Sequence, residues 1–364
     1  MKILAALVLI VLLAVAAAAG YLWYCIEKPY GSIPAEGVYV DIPHGSSQRA
    51  VARLLQNSGV IRNSVAFELY ARRHPKRLLE AGEYLFDHPL TGKEVFWKLA
   101  NGEVYQNPFT VREGETIFDI AHDLEAAKYM TADDFLKAAQ DPMLIKDLFP
   151  EAKTLEGFLF PATYNLPKHT TPADLAAMMV RKFREALLNV MPDRGKAADP
   201  AASLGSVVTL ASLVERETPK PGERLLVAGV FTNRLNKDMP LQCDPTVIYA
   251  LEQDGRYKGT LTLKDLRIDS PYNTYVYRGL PPGPIGNPGE VALRAAAHPA
   301  ETDFLYFVAN TQGGHFFAAT LAEHNKNVAK YHRLLNGEPA EPPPVEAHHT
   351  HAAGAARKGS KGKR

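Results

Sequence analysis

The run Val207-Val208-Thr209-Leu210-Ala211-Ser212-Leu213-Val214-Glu215-Arg216-Glu217-Thr218 is apolar until its last turn. No Gly or Pro interrupts it before Pro219, so it predicts a buried helix. At about 3.6 residues per turn, Val208, Ala211, Ser212 and Glu215 share one face and Arg216 points elsewhere. Glu217 lies about 200° around the helix from Glu215 and is not expected to share its site. An apolar helix delivers Glu215 into poorly hydrated surroundings, and burial raises a carboxyl pKa. A carboxyl protonated near neutrality can act as a general acid. The opposing reading has Glu215 begin the polar end of the helix, paired with a Lys or Arg.

The flanking sequence is dense in motifs. Upstream, Leu155-Glu156-Gly157-Phe158-Leu159-Phe160-Pro161-Ala162-Thr163-Tyr164 sets aromatics around an acid, Gly and Pro. Aromatic faces stack on sugar rings while acids bond hydroxyls, although a turn bordering the core has the same composition. Pro172 to Leu188 is an amphipathic helix, and polar Pro192 to Pro200 is a connection. Downstream, Leu225 to Leu235 is another helix. Gln242, Asp244 and Thr246 alternate, as on one face of an extended segment. Tyr272-Asn273-Thr274-Tyr275 precedes the Gly/Pro loop Gly279 to Gly289, a rigid wall for a cleft. Leu305 to Val308 and the residues after Gly313-Gly314-His315 read as strands, and Thr320 with Glu323-His324-Asn325 starts a last helix.

Before this half, Val38 to Ile42 reads as a strand, followed by the turn and cap Pro43 to Ser47 and two short helices. Phe109-Thr110-Val111 opens a second copy, in which Gly114-Glu115-Thr116 repeats Gly45-Ser46-Ser47 at an offset of 69 residues. Strand, Gly turn and helix resemble the start of LysM modules, which bind N-acetylglucosamine polymers. A generic capped strand-turn-helix gives the same pattern.

Ile3 to Tyr24 carries no charge. As a helix it is about 33 Å long, enough for a hydrocarbon core of about 30 Å. Tyr21, Trp23 and Tyr24 form an interfacial belt, and Lys2 favours its own end inside. An uncleaved anchor is preferred over a signal peptide cut after Ala17-Ala18-Ala19, because the apolar run is long and its basic end short. The two cysteines are too few for a disulfide framework. A net charge of +1 gives no footprint for nucleic acid. The histidines lack metal-ligand spacing, and no phosphate-binding Gly loop is present. The tail is Pro/Ala-rich, then basic, and reads as disordered.

Together these runs resemble the YceG-like (MltG-type) endolytic murein transglycosylases. The matching pieces are Leu155-Glu156-Gly157 with Phe160-Pro161 and Thr163-Tyr164; Ala211 to Glu217; Leu241-Gln242 with Asp244 to Tyr249; Ser270 to Tyr275; Gly279 to Ile285; Ala296-Ala297-His298-Pro299; and Gly313-Gly314-His315 with Glu323-His324-Asn325. They fall in the family's order over about 150 to 335. Two departures are Ala162, where an acid is common, and Cys243, where Ser or Thr is common. The resemblance implies cleavage of the β-1,4 bond after N-acetylmuramic acid within glycan strands, leaving a 1,6-anhydro end. It makes Glu215 the catalytic acid; apart from the resemblance, Glu156 is the second-choice acid. Polarity and motif membership put Gln242, Asp244, Tyr272, Asn273 and Asn325 in the glycan groove. No metal or cofactor is implied, since pyridoxal chemistry needs a lysine that the densest motifs lack.

The expected fold is mixed α+β: a membrane anchor over 1–29, a LysM-like first unit over 30–106, a second strand-turn-helix unit or linker over 107–150, a catalytic domain over 151–336 and a disordered tail over 337–364. The expected protein is single-pass in the inner membrane with its bulk periplasmic. Its expected partners are peptidoglycan glycan strands, the membrane and peptidoglycan synthases. The rival function is a non-catalytic, glycan-binding scaffold.

Overall fold

The computed structural model describes residues 2–192 and 204–337. The expected disordered tail, beyond its first residue, and most of the polar connection before 200 lie outside the described residues. Helix α1 (Lys2–Glu27) contains the 25-residue apolar span Ile3–Glu27, long and apolar enough to cross a membrane. Its last turn turns inward: Cys25 and Ile26 are buried in the core that follows.

That core belongs to the first of two compact units, Met1–Leu144 with Lys153–Leu155 and Leu159–Phe183. Strand β1 (Val38–Ile42) leads into α2 (Gln48–Asn57), α3 (Ser64–Arg72) and β2 (Gly82–Phe86), and β2 pairs antiparallel with β1 from Val38–Phe86 to Ile42–Gly82. Helix α4 (Gly92–Ala100) follows. Strand β3 (Pro108–Thr110), α5 (Ile117–Ala126), α6 (Ala132–Ala139) and β4 (Thr163–Asn165) then repeat strand, two helices and antiparallel strand. Ser47 and Thr116 cap α2 and α5 through side-chain oxygens, and Gly45 and Gly114 take the left-handed backbone that each turn requires. These glycines and caps stand 69 residues apart. The compact units do not divide at the expected boundary of 151, because β4 pairs with β3 and residues through Phe183 of α7 (Pro172–Val190) pack with the first unit.

The second unit comprises Ile145–Ala152, Glu156–Phe158 and Arg184–Arg364. Its centre is α8 (Leu204–Glu217), buried from Val207 to Glu215. A helix apolar all round must be covered all round, and α9 (Arg224–Asn236), α10 (Asp244–Gln253) and α11 (Glu290–Ala297) cover this one. Strands β5 (Tyr306–Ala309) and β6 (His315–Ala318) form an antiparallel hairpin against α12 (Leu321–Leu335). The Gly/Pro loop is pinned to α8 by two side chains. Ser212 Oγ accepts the Ile285 amide at 3.0 Å, and Arg216 donates to the Ile285 carbonyl at 2.9 Å. Gly157, at φ +85°, is wedged below: a Cβ there would meet Pro284 at 2.5 Å and Val208 at 3.0 Å.

Candidate active site

The two acids at the end of α8 have opposite surroundings. Glu215 is buried among the apolar residues of its own helix face. Arg224 donates to its Oε1, and the Gly289 amide donates to Oε2 at 3.0 Å. The side chains of this pair are only 5% and 3% exposed, which seals them from water. A guanidinium on one oxygen and an amide on the other both favour the carboxylate form. Of the two readings of Glu215, the geometry fits the one in which it pairs with an Arg. The cause is its helix face: it leads into the core, where an unpaired charge is not tolerated.

Glu217 is the last residue of α8 and is half-buried. Burial pushes its carboxyl above the usual range and Asp244 adds to the rise; Cys243, His315 and Arg234 act against it. Its position at the negative end of the helix dipole works in the same direction as burial. Cys243 donates its S–H to Glu217 Oε2 at 3.3 Å. Burial, then the nearby Glu217, holds the Cys243 thiol well above its ordinary value, so the sulfur remains a donor.

Three elements build the walls around Glu217. Arg234 of α9 donates to the Leu305 carbonyl at 2.6 Å and the Leu241 carbonyl at 2.8 Å, and lies over the Tyr306 ring. It thereby joins the hairpin to the turn before α10. Asp244 opens α10, exposed, and accepts from the Tyr275 hydroxyl at 2.5 Å. His315 follows Gly313, at φ +72°, and Gly314. The Glu223 carboxylate occupies the space a Gly314 side chain would need, and accepts the His315 amide at 3.1 Å while the ring Nδ1 lies 2.7 Å away. The Gly-Gly-His motif is thus a seat for Glu223.

The other expected residues separate. Gln242 and Asp244 flank Cys243 and are exposed beside Glu217's partner. They do not alternate on a strand: Pro245 suits a first helical turn, and Asp244 begins a helix. Gln242 takes φ +53°, a left-handed value unusual for a residue with a side chain. Asn273 is fully buried, donates to the Leu266 and Ile268 carbonyls at 3.2 and 2.8 Å and accepts the Tyr275 amide at 3.0 Å. It clamps its loop and has no polar atom to offer a glycan, which corrects its expected groove role. Tyr272 packs on Tyr249 at 5.0 Å, toward Glu156 rather than Glu217. Glu156 is buried, takes a hydrogen bond from Asn287 at 3.1 Å and bonds Tyr249, as a structural acid does. Asn325 is exposed on α12, next to His324, which stacks on Tyr306 at 5.3 Å. Reading from the sequence set Glu217 aside and did not single out Arg224 or Arg234. The available signal was that Glu215 shares its face with Val208, Ala211 and Ser212, all core residues, whereas Glu217 leaves that face at the helix end.

The model of the YceG-like family matches residues 40–330. An endolytic murein transglycosylase of Bacillus subtilis is 37% identical over 311 residues, 81% of this chain and 84% of the relative. One from Streptococcus pneumoniae is 31% identical over 358 residues, 88% of this chain but 64% of the longer relative. A crystal structure of a yceG-like protein from Listeria monocytogenes is 34% identical and covers 80% of this chain and 99% of its own, with a TM-score of 0.53.

Proposed function

This chain belongs to the YceG-like family, and on that basis we propose that it is a membrane-anchored endolytic lytic transglycosylase of peptidoglycan, with Glu217 as its acid. The observation that carries the assignment is a half-buried carboxyl, pushed up by burial, at the last residue of an otherwise sealed helix. The relatives' printed activity supports the substrate and reaction. Ordinary glycosidases use two carboxyls, one of which forms a covalent intermediate or activates water. Here the sugar's own C6 hydroxyl serves as nucleophile, so one acid suffices. Protonated Glu217 gives its proton to the glycosidic oxygen as the C1–O bond breaks. The C6 hydroxyl oxygen then bonds C1, and its proton returns to the Glu217 carboxylate. No water is consumed and the acid is regenerated, which requires a carboxyl with a raised pKa. Arg234 and His315 lie where they favour the transient carboxylate of Glu217.

Gln242, Asp244 and Asn325 are the proposed polar contacts to the glycan, all three being exposed. The first unit's repeated strand-helix-helix-strand supports a LysM-like role in holding strands. Helix α1 supports a single-pass anchor; in this reading the anchor lies in the inner membrane, with both units in the periplasm beside peptidoglycan synthases. An anchored, endo-acting cutter would there end the growth of nascent strands. A second reading, hydrolysis, is favoured by one observation: Asp244 lies close enough to Glu217 to raise its proton affinity, and is a second carboxylate that could activate water. Mass spectrometry of glycan strands digested by the full-length protein in detergent distinguishes them. Products with 1,6-anhydro ends, one water lighter than reducing ends, are expected; ordinary reducing ends would assign the protein to the hydrolases.

A further inference from the structure

We propose that Cys243 is a positioning residue, which fixes the Glu217 carboxyl and sets how readily it gives up its proton. This rests on Glu217 being the acid. Cys243 is 1% exposed, and its sulfur lies 3.3 Å from Glu217 Oε2. Its backbone is held on both sides. The amide donates to Thr274 Oγ1 at 3.0 Å, and the carbonyl accepts the Thr246 hydroxyl at 2.7 Å and the Thr246 amide at 3.1 Å. The two threonine hydroxyls are 2.9 Å apart and both residues are buried. The Gln242 amide donates to the Thr274 carbonyl at 3.2 Å, which holds its left-handed backbone in place. This network fixes the Cys243 backbone, and the buried thiol turns toward Glu217.

The choice of sulfur has a chemical consequence. A thiol is a weak donor and a hydroxyl a strong one. A strong donor on Oε2 would stabilise the carboxylate and lower its proton affinity. The thiol occupies Oε2 and orients the carboxyl with little of that stabilisation, so the transferable proton is carried on Oε1. The other ionisable groups around Glu217 are Arg234 from α9, Asp244 from α10, His315 from β6 and Tyr275 from the loop before the Gly/Pro segment. Replacing Cys243 removes none of these side chains.

The test is the pH dependence of kcat/KM for release of anhydro-ended products by the full-length protein in detergent. Wild type, Cys243→Ser, Cys243→Ala and Glu217→Gln are compared. Since the protonated acid is required, activity falls as pH rises through the Glu217 pKa. Cys243→Ser should move that alkaline limb to lower pH and Cys243→Ala to higher pH, each by roughly half a unit or more. Both should lower kcat more than they change KM. If Cys243→Ala does not fold, the displacement in Cys243→Ser decides alone. Limbs that stay at the wild-type position, or move together in one direction, overturn the proposal. Glu217→Gln separates the two levels: an active Glu217→Gln removes Glu217 as the acid, whereas an inactive one with immobile limbs removes only the role of Cys243.

Discussion

Glu215 and Glu217 stand two positions apart on one helix, yet their mutational behaviour should differ in sign. Removing Glu215 takes a buried carboxylate away from the buried Arg224 guanidinium. Breaking a sealed pair from one side costs about 3–5 kcal/mol, so Glu215→Ala should lower the denaturation midpoint sharply. Glu217 carries a folded-state pKa above its unfolded value of about 4.3. The folded state therefore binds the extra proton between those two values, and stability declines as pH rises through that window. Glu217→Gln removes this cost. It should be more stable than wild type at neutral pH, with the difference fading below about pH 4.3. Denaturation followed at pH 7 and pH 4 tests both expectations; a Glu217→Gln variant destabilised at pH 7 would contradict this account of the site. The distinction was only half legible in the sequence. The helix and its acids were plain from periodicity, but the partners come from elsewhere in the chain. Arg224 and Gly289 lie 9 and 74 residues beyond Glu215, separations at which helical geometry says nothing.

Among the elements, the helices were the most legible. The buried α8 followed from its unbroken apolar run, and the capped helices from Ser47, Thr116 and Thr320. The turn around Gln242 was misread because alternation of polar residues imitates a strand, while Pro245 and Asp244 in fact open a helix. Strand β4 went unread because three residues carry too little periodicity, and its pairing with β3 spans more than fifty positions. The Gly/Pro loop was legible as a rigid segment, but not its docking on α8 through Ser212 and Arg216. Gly157 makes that docking testable. Gly157→Ala puts a Cβ into Pro284 and strains a left-handed backbone, at about 1–3 kcal/mol. The variant should melt at lower temperature and lose activity, because the loop also delivers the Gly289 amide to Glu215. Wild-type melting and turnover would show that the loop is not held in this way.

For the whole molecule, composition excluded more than it assigned: near-neutral charge gave no case for nucleic acid, and two cysteines no case for a disulfide scaffold. The apolar helix α1 gives the expected topology its test. A reporter enzyme active only outside the cytoplasm, fused after Arg364, should be active in cells and pellet with membranes. An inactive reporter would put the site on the side away from the cell wall. The central claim is tested most directly by counting 1,6-anhydro ends, by mass spectrometry, after glycan strands are incubated with full-length wild type, Glu217→Gln or Glu215→Gln, each first shown to be folded. The account predicts anhydro ends from wild type, none from Glu217→Gln, and residual anhydro ends from whatever Glu215→Gln remains folded. Anhydro ends from Glu217→Gln, with none from a folded Glu215→Gln, would contradict it and return the catalytic role to Glu215.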